Sequence, residues 1–366
     1  MDPDSGRPLR RGWTTGACAA AAARAAAEAL FGGPVPDPAD VTLPRGLTHA
    51  FPLVEFTFGA GWARASVRKD AGDDPDVTHG ALIVSEVRHG APGDGVTFRA
   101  GAGVGTVTRP GLPIAVGEPA ISPAPRGYIS DAVRDVASRY GRPADVAITI
   151  SVPGGERLAQ RTMNSRLGIE GGLSILGTTG VVIPYSCGAW IASIHRGVDV
   201  ARAAGLPHIA ATTGRTSEAG VKALYGLPDI ALIEMGDFAG GLLKYLARHP
   251  VPRLTLGGGF AKLAKLAVGE MDLHSKRSTL DVPALAARLA ELGADDALVA
   301  EAAAAGSGNA LLEVAHRAGL PIADLIARDA CHIVRRALTV EAKAMTILLD
   351  VAVFDRTGQM IGHAHG

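Results

Sequence analysis

The sequence predicts an α+β N-terminal domain followed by an α/β three-layer domain with a mostly parallel sheet. In the first half, short strand-like segments follow one another with turn residues between them, as in antiparallel or mixed sheets. In the second half, apolar strands alternate with helices, which is typical of βαβ units around a buried parallel sheet. The 366 residues are enough for two such domains.

The predicted α+β domain comprises residues 1–145. Thr14 or Thr15 can cap a helix over 16–30, and Gly32-Gly33 ends it. Charged residues interrupt the alanine run of this helix, so we expect an amphipathic helix and not an export signal. Strands are predicted over 41–43, 51–58, 62–67, 80–87, 96–100 and 105–108, and a helix over 130–140 closes the domain.

The predicted α/β domain comprises residues 146–344, and its alternation of strands and helices is Rossmann-like. A β-branched strand over 146–152 opens it, and glycines interrupt an apolar segment over 173–183. Helix–strand units follow, with helices over 189–204, 218–225 and 241–248, strands over 208–212, 230–235 and 253–256, and helical segments over 282–338. The last strand, 346–354, belongs to a segment 345–366 that can join either this sheet or the sheet of the first domain.

Composition excludes several classes of function. Lys plus Arg and Asp plus Glu number 36 each, so the net charge is zero, and aromatic residues make up only 4%. A nucleic-acid-binding protein needs a basic surface or stacking platforms, so we expect no nucleic-acid partner. No stretch of about 18 uncharged apolar residues occurs, and the three cysteines lie far apart without zinc-site spacing. We therefore expect a cytoplasmic protein without a membrane partner.

Three turns rich in glycine and threonine follow predicted strands of the second half. Such turns line the crevice at the carboxyl ends of parallel strands, where ligands bind, and their hydroxyls add directional hydrogen bonds. None matches a dinucleotide or phosphate-loop fingerprint, so tight turns without a ligand remain an alternative. We expect an adenosyl-type or nucleotide-like ligand, with the candidate contacts Gly177, Thr178, Thr179, Gly180, Thr213, Gly257, Gly258 and Gly259.

Two acidic residues lie where a strand ends and a helix begins. Glu234 and Asp237 are placed to accept hydrogen bonds from both hydroxyls of a ribose, as acidic residues do in dinucleotide folds. Asp237 is equally suited to cap the following helix, and the two roles are compatible.

The densest polar segment is residues 68–80. Its four aspartates lack the spacing of a calcium loop, and Arg68 and Lys69 compensate their charge, so we expect no metal there. The segment is either a solvated turn or a loop that handles substrate or a proton, with Asp70 and His79 as the titratable candidates.

Local cation clusters stand out on a chain of zero net charge. Arginines flank 162–165, two lysines share a helix face at 262 and 265, and a basic stretch follows at 272–278. They are either solvated surfaces or a site for a polycarboxylate, which arginine binds bidentately.

Nine sequence blocks carry a resemblance that covers nearly the whole chain. They are Leu9–Ala22, Val67–Gly80, Gly103–Thr108, Gly117–Ile121, Pro153–Glu156, Thr162–Ile169, Gly171–Gly180, Met235–Phe238 and Asp272–Ser275. In these blocks and their order the chain resembles the cobalt-precorrin-5B C1-methyltransferase family of cobalamin biosynthesis. The extra polar residues before Leu9 and the histidines at 363 and 365 lie outside the blocks.

The resemblance implies S-adenosyl-L-methionine as methyl donor, bound in the second domain, and cobalt-precorrin-5B as acceptor, giving cobalt-precorrin-6A. Cobalt arrives with the substrate, so no protein-bound metal is expected, and other pathway enzymes can hand the substrate over. Asp70 or His79 would handle any proton that leaves. The substrate's carboxylates would meet Arg68, Lys69, Arg161, Asn164, Arg166, His274, Lys276 and Arg277.

Two other functions fit the residues by themselves. A nicotinamide-dependent corrinoid reductase would use the same α/β crevice, although the dinucleotide fingerprint is missing. A non-catalytic corrinoid carrier or scaffold would bind corrinoid without donor binding or turnover.

Overall fold

The computed structural model describes residues 7–339 and 347–366. The chain folds into two compact units, a first unit of Met1–Ser186 and a second unit of Cys187–Gly366. The boundary therefore lies well after the predicted one at residues 145/146. The two units are described separately.

From residue 7 onward, where the structure describes it, the first unit contains short strands in several sheets and three helices. The helices are α1 (Thr15–Leu30), α2 (Pro123–Arg139) and α3 (Gly155–Ala159), with a 3₁₀ turn at Pro44–Gly46. The strands are β1 (Gly12–Trp13), β2 (Ala39–Thr42), β3 (Thr48–Phe51), β4 (Leu53–Gly59), β5 (Trp62–Arg68), β6 (Leu82–His89), β7 (Val96–Ala100), β8 (Thr106–Val107), β9 (Val146–Ser151), β10 (Ile169–Glu170) and β11 (Val181–Val182).

A five-stranded mixed sheet with the order β4-β5-β6-β9-β7 forms the centre of the first unit. All its pairings are antiparallel except that of β7 with β9. The sequence assigned β9 to the second domain, and this was wrong. A β-branched apolar run predicts a buried strand but does not specify which sheet receives it.

The helix α1 is buried almost throughout its length, so the predicted amphipathic helix was wrong. From Ala17 to Ala27 the exposed fraction is zero for every residue except Arg24, because α1 packs on α2, β5 and β6 together. Its two charged residues have partners: Arg24 contacts Asp135 at 2.8 Å, and Glu28 binds Arg139 and the hydroxyl of Tyr140. Alanine side chains allow this close packing on several sides.

The other helices begin earlier than their patterns predict. The helix α2 starts at Pro123 and not at 130, because proline is tolerated in a first turn, where its missing N–H has no helical partner in any case.

The apolar segment 173–183 forms no long strand. Val181–Val182 forms a short strand that pairs with β1, and Leu173 and Ile175 form isolated bridges with Val104 and Ile121.

The second unit has eight helices and five strands in its described residues. The helices are α4 (Cys187–Ala203), α5 (Arg215–Tyr225), α6 (Ala239–Arg248), α7 (Phe260–Ala267), α8 (Val282–Ala287), α9 (Asp296–Ala303), α10 (Gly308–Arg317) and α11 (Ile322–Thr339), with 3₁₀ turns at Asp229–Ala231 and Arg288–Leu292. The strands are β12 (His208–Thr212), β13 (Leu232–Glu234), β14 (Arg253–Gly259), β15 (Leu348–Phe354) and β16 (Met360–His365).

The sheet of the second unit has the order β13-β12-β14-β15-β16. The first four strands are parallel, but β16 joins antiparallel, so the sheet is mixed and not mostly parallel as predicted. The last predicted strand lies in this sheet as β15 and not in that of the first unit, while residues 345 and 346 of its predicted segment lie outside the described residues.

Helices cover both faces of this sheet. On one face α5 packs against Ala210, Leu232, Ala352 and Phe354. On the other face α6, α7 and α11 pack against the alternate residues of the same strands, including Ile209, Leu254 and Val351. This arrangement gives three layers. Among the described residues, no helix is long and apolar enough to cross a membrane.

Replacing Ala22 in α1 with leucine should destabilise the first unit. Ala22 has no exposed surface, so the added side chain would overpack the contact of α1 with its neighbours. We expect a loss of about 1–3 kcal/mol of unfolding free energy, measured by urea denaturation. Ala300→Leu on an exposed position of α9 is the matched control. Equal stability of the two variants would contradict the packing described for α1.

Candidate functional site at the carboxyl edge of the second sheet

The strand order of the second unit creates a crevice at one edge of its sheet. From β12 the chain passes through α5 to β13 on one side, and then through α6 to β14 on the other side of β12. The connections leaving the carboxyl ends of β12 and β14 thus diverge, which is the position where open α/β sheets bind ligands. Thr213 directly follows β12, whereas Gly257–Gly259 are the last three residues of β14 and pair with β15, so the predicted turn at these glycines was wrong.

The residue after β12 is in direct contact with the last residues of β14. The backbone N–H of Thr213 donates to the carbonyl of Gly257 at 3.0 Å. A Cβ at position 257 would come within 2.5 Å of Val221, and one at 258 within 3.0 Å of the Thr213 methyl group, so these positions require glycine for close packing. At Gly259, apart from its chain neighbours, no atom of the described residues lies within 4 Å of the Cβ position, so this residue borders open space.

One buried hydroxyl at this edge lacks a partner. Thr212, the last residue of β12, has no exposed surface, and its Oγ1 forms no hydrogen bond with any residue that the structure describes. Because buried polar groups are nearly always satisfied, such an atom indicates a place for a water or ligand group.

Glu234 and Asp237 differ in their surroundings. Glu234 ends β13, and its half-buried carboxylate forms no ion pair or hydrogen bond within residues 7–339 and 347–366. Asp237 binds the ammonium of Lys262, and its carbonyl accepts from the N–H of Leu273 at 2.9 Å. The predicted capping role of Asp237 was wrong, because Phe238 is the N-cap residue of α6 and no side chain caps that helix.

The basic stretch at residues 272–278, called the basic loop below, lies beside Asp237. Lys262 and Lys265 both donate to the carbonyl of Leu273 at 3.2 Å, which fixes the start of the loop. The predicted substrate residues His274, Lys276 and Arg277 follow on it and are all exposed.

Within the basic loop, Arg277 donates to Asp272 at 2.8 Å and contacts the Cys187 sulfur at 3.5 Å. The Nδ1 atom of His274 accepts from the N–H of Lys276 at 3.1 Å. The loop is therefore ordered by its own polar contacts, and its charges face the solvent next to the crevice.

Two residues near the crevice were not singled out from sequence. Trp190 on α4 is 44% exposed, donates from its indole to the Glu234 carbonyl at 3.3 Å, and lies against Gly236. Arg215 is the exposed first residue of α5, directly after Gly214. An apolar residue on a helix is usually buried, so no local signal marked Trp190. The position of Arg215 after a threonine–glycine turn was the available signal for that residue.

The third glycine–threonine turn, Gly177–Gly180, was placed wrongly by the sequence analysis. It belongs to the first unit and is not a strand-to-helix turn of the parallel strands. Gly177 packs on Thr14, where a Cβ would come within 2.3 Å of Oγ1, and the Gly180 carbonyl accepts from the N–H of Thr14 at 2.9 Å. Thr178 is exposed and Thr179 bonds locally to Val181. Packing around the start of α1 explains the glycines of this turn.

The loop over 68–80 uses several of its charges for its own structure. Lys69 is 2% exposed and binds Asp76 at 2.7 Å, so it is not available to a substrate carboxylate as predicted. Asp76 also accepts from the N–H and hydroxyl of Thr78. Arg68 donates to the carbonyl of Gly80 at 3.0 Å and remains exposed.

The geometry of Asp70 and His79 does not favour a proton-accepting role. Arg10 donates to Asp70, and with the Gly72 N–H it lowers the pKa of this carboxyl to about 2, which makes it a very weak base. The Nδ1 atom of His79 lies 3.8 Å from Asp70 and accepts from the N–H of Ala71 at 3.1 Å. In the neutral ring Nε2 therefore carries the proton.

The remaining predicted residues of the first unit follow β9. Asn164 is 7% exposed, donates to the Gly172 carbonyl at 3.0 Å and accepts from Ser174 at 3.1 Å, so its amide closes a loop and is not free for substrate. Arg161 is exposed, and Arg166 is half-buried. Of these three, only Arg161 presents its side chain fully to the solvent.

Replacing Asp70 with asparagine should change the acid stability of the chain. The Arg10 contact lowers the folded-state pKa to about 2 from 3.8, so the stabilisation is complete above about pH 4 and disappears as the pH falls through 2. In Asp70→Asn we expect a lower melting temperature at pH 6 and a weaker decrease between pH 4 and 2. Asp94→Asn, at an exposed carboxylate, is the control. Identical pH profiles of the two variants would show that the Arg10 contact contributes nothing.

Comparisons with known proteins identify relatives along the whole chain. The family model CbiD matches residues 2–184, and the model CbiD, C-terminal domain, matches residues 272–365. A protein of Paramagnetospirillum magneticum called cobalt-precorrin-5B C(1)-methyltransferase is 59% identical, with 98% of both chains covered. One of the same name from Rhodospirillum rubrum is 58% identical, with 99% of both covered.

Among solved structures, the crystal structure of a cobalamin biosynthesis protein (cbiD) from Archaeoglobus fulgidus is 30% identical. The match covers 74% of this chain and 83% of that chain, with a TM-score of 0.40. On the two family models and the nearly full-length relatives, this chain belongs to the CbiD family.

Proposed function

We propose that this chain transfers a methyl group from S-adenosyl-L-methionine to C1 of cobalt-precorrin-5B, giving cobalt-precorrin-6A in cobalamin biosynthesis. The name that its full-length relatives carry supports the reaction. The observation that supports a site is the crevice between β12 and β14. Beside it lie the Glu234 carboxylate and the buried Thr212 hydroxyl, neither of which has a partner among the residues that the structure describes. The acceptor is a small molecule that brings its own cobalt.

The residues of this crevice fit an adenosyl ligand. Gly257–Gly259 let a ligand approach the backbone closely, and Gly259 borders open space. The hydroxyls of Thr212 and Thr213 are hydrogen-bonding groups at the same edge. In dinucleotide folds a carboxylate near the crevice binds the ribose, and Glu234 occupies the end of the strand next to β12. We assign the ribose contact to Glu234 and not to Asp237, because Lys262 already binds Asp237.

The basic loop is proposed to hold the acceptor in the second unit. His274, Lys276 and Arg277 are exposed, and Leu273 ties the loop to the backbone of Asp237. A precorrin carries several carboxylates, and arginine and lysine side chains bind these by charge-assisted hydrogen bonds. In the first unit Arg68 and Arg161 are the exposed candidates for the same chemistry. Lys69 and Asn164 are not, because both are buried in their own contacts.

The chemistry needs little from the protein beyond positioning. The sulfonium of the donor supplies an electrophilic methyl group, and the electron-rich macrocycle is the nucleophile. The chain's residues orient the two reactants in line and exclude water, which are the effects that dominate such a displacement. We do not assign the role of proton acceptor to Asp70, because Arg10 binds its carboxylate. The role that its contacts support is to order the loop over 68–80.

Glu234→Ala should weaken donor binding. Loss of charge-assisted hydrogen bonds to two ribose hydroxyls is expected to raise the Kd for S-adenosylmethionine about tenfold to a hundredfold, measured by calorimetry on the purified chain. Glu313→Ala, at an exposed glutamate of α10, is the control. An unchanged Kd in Glu234→Ala would remove Glu234 from the ribose role. Close packing would then be the explanation for Gly257 and Gly258.

Lys276→Gln and Arg277→Gln should weaken acceptor binding without affecting the donor. Each removes one exposed charge, so we expect up to about a fivefold increase in KM for cobalt-precorrin-5B per substitution, which diminishes at high salt. Lys244→Gln, at an exposed lysine of α6, is the control. A KM that rises equally in the control would contradict a specific role for the basic loop.

The reaction itself is tested with the unmodified chain. Incubation with S-adenosylmethionine and cobalt-precorrin-5B should add one methyl group to the corrinoid, detected by mass spectrometry. Corrinoid binding without donor binding or mass gain would overturn the proposal and indicate a carrier. A change in nicotinamide absorbance with corrinoid would instead indicate a reductase.

A further inference from the structure

A second polar cluster of the second unit lies away from the crevice. It consists of Asp350 on β15 and His363 and His365 on β16, and the proposed methyl transfer uses none of these residues. In the register of the two strands Asp350 is directly opposite His365, and Ala352 is opposite His363. Because side chains alternate along a strand, the carboxylate and both imidazoles project from the same face of the sheet. This is the face that α5 covers.

The three side chains converge closely. One oxygen of Asp350 and one nitrogen from each histidine all lie within 4.8 Å of one another. Oδ1 of Asp350 is 2.5 Å from Nδ1 of His365, and the two imidazole rings meet edge to face at 4.2 Å. Ligand atoms of a tetrahedral ion with bonds of about 2.0–2.2 Å are about 3.3–3.6 Å apart. Small rotations of the side chains, of which His365 is largely exposed, would give that spacing.

The surrounding residues orient the cluster as an outer layer of hydrogen bonds. Nε of Arg253 donates to Oδ2 of Asp350 at 2.6 Å, and the Thr255 hydroxyl donates to the same oxygen at 3.3 Å. The Tyr225 hydroxyl lies 3.2 Å from Nε2 of His363. The carboxylate thus has one oxygen held by the protein and the other directed at the histidines. Metal-binding carboxylates and imidazoles are commonly oriented by such contacts.

We propose that Asp350, His363 and His365 bind one divalent transition-metal ion of the zinc type. Two imidazoles and one carboxylate oxygen suit zinc, cobalt or nickel, whereas calcium and magnesium prefer sites built from oxygen ligands. Arg253 places a positive charge beside the carboxylate, which weakens the attraction of Asp350 for a cation and makes the two imidazoles important to the site. This proposal replaces the sequence-based expectation that the chain binds no metal.

The position of the cluster indicates a structural role for the ion. Asp350 pairs with Thr255, and Arg253 is the first residue of β14, so the cluster lies toward the amino ends of the parallel strands. The proposed donor site lies at their carboxyl ends. An ion held by β15 and β16 would link the antiparallel edge strand to the parallel part of the sheet. Binding to the folded state alone would raise the stability of the chain.

The test uses the full chain without an affinity tag, because a polyhistidine tag would itself bind metal. Titration with Zn²⁺ by calorimetry should show one ion per chain, and Zn²⁺ should raise the melting temperature, whereas Mg²⁺ and Ca²⁺ should not. Co²⁺ should give the visible absorption of a low-symmetry site with nitrogen and oxygen ligands. His363→Ala and His365→Ala should each lower the Zn²⁺ affinity on the order of tenfold or more.

Two controls separate metal binding from a loss of folding. His316→Ala, at an exposed histidine of α10, should keep the affinity of the unmodified chain. His365→Ala should still unfold cooperatively in the presence of a chelator, which shows that its loss of Zn²⁺ binding does not come from a loss of folding. Absence of saturable Zn²⁺ binding, or binding that survives the double variant His363→Gln/His365→Gln, would overturn the proposal. Loss of binding in the histidine variants alone would support it.

Discussion

The packing of α1 is the constraint on which the first unit depends. This helix contacts α2 and two strands of the central sheet at the same time, and ten of its sixteen residues are alanine. Larger residues would separate the helix from the sheet and expose the apolar surface that both now bury. The two charges that interrupt the helix are tolerated because Arg24 contacts Asp135 and Glu28 contacts Arg139 at its edges.

The start of the same helix determines the path of several loops. Thr14 caps α1 through the N–H of Ala17, and the turn at Gly177–Gly180 packs against Thr14. The hydroxyl of Tyr128 donates to the Gly177 carbonyl at 3.0 Å. The turn at Gly177–Gly180, which the sequence suggested as a ligand contact, is thus explained by packing and by hydrogen bonds of the backbone. A glycine in such a stretch reports a close approach, but not whether the neighbour is a ligand or the protein itself.

The second unit depends on the order of its strands, as the first unit depends on the packing of α1. Placing β12 between β13 and β14 opens one crevice at the carboxyl edge, and the residues suited to a ligand gather there. Lys262 and Lys265 attach the basic loop beside this edge through the Leu273 carbonyl. Lys262 neutralises Asp237, whereas Glu234 at the crevice has no partner for its carboxylate in the described part of the chain. The opposite end of the strands carries Asp350 and the two histidines, so the two proposed sites use different ends of one sheet.

The sequence by itself determined the family, the presence of an α/β second half, and most residues of the crevice. Motif order and apolar periodicity are local properties, so Thr213, Glu234 and Gly257–Gly259 could be predicted from them. Only the tertiary structure decided which sheet receives β9, where the chain divides, and which charges remain available. In sequence, Lys69, Asn164 and Asp237 cannot be distinguished from exposed polar residues. In the folded chain each of them binds a partner: Asp76, the Gly172 carbonyl and Lys262, respectively. Burial and pairing depend on contacts between distant residues, which no local pattern encodes.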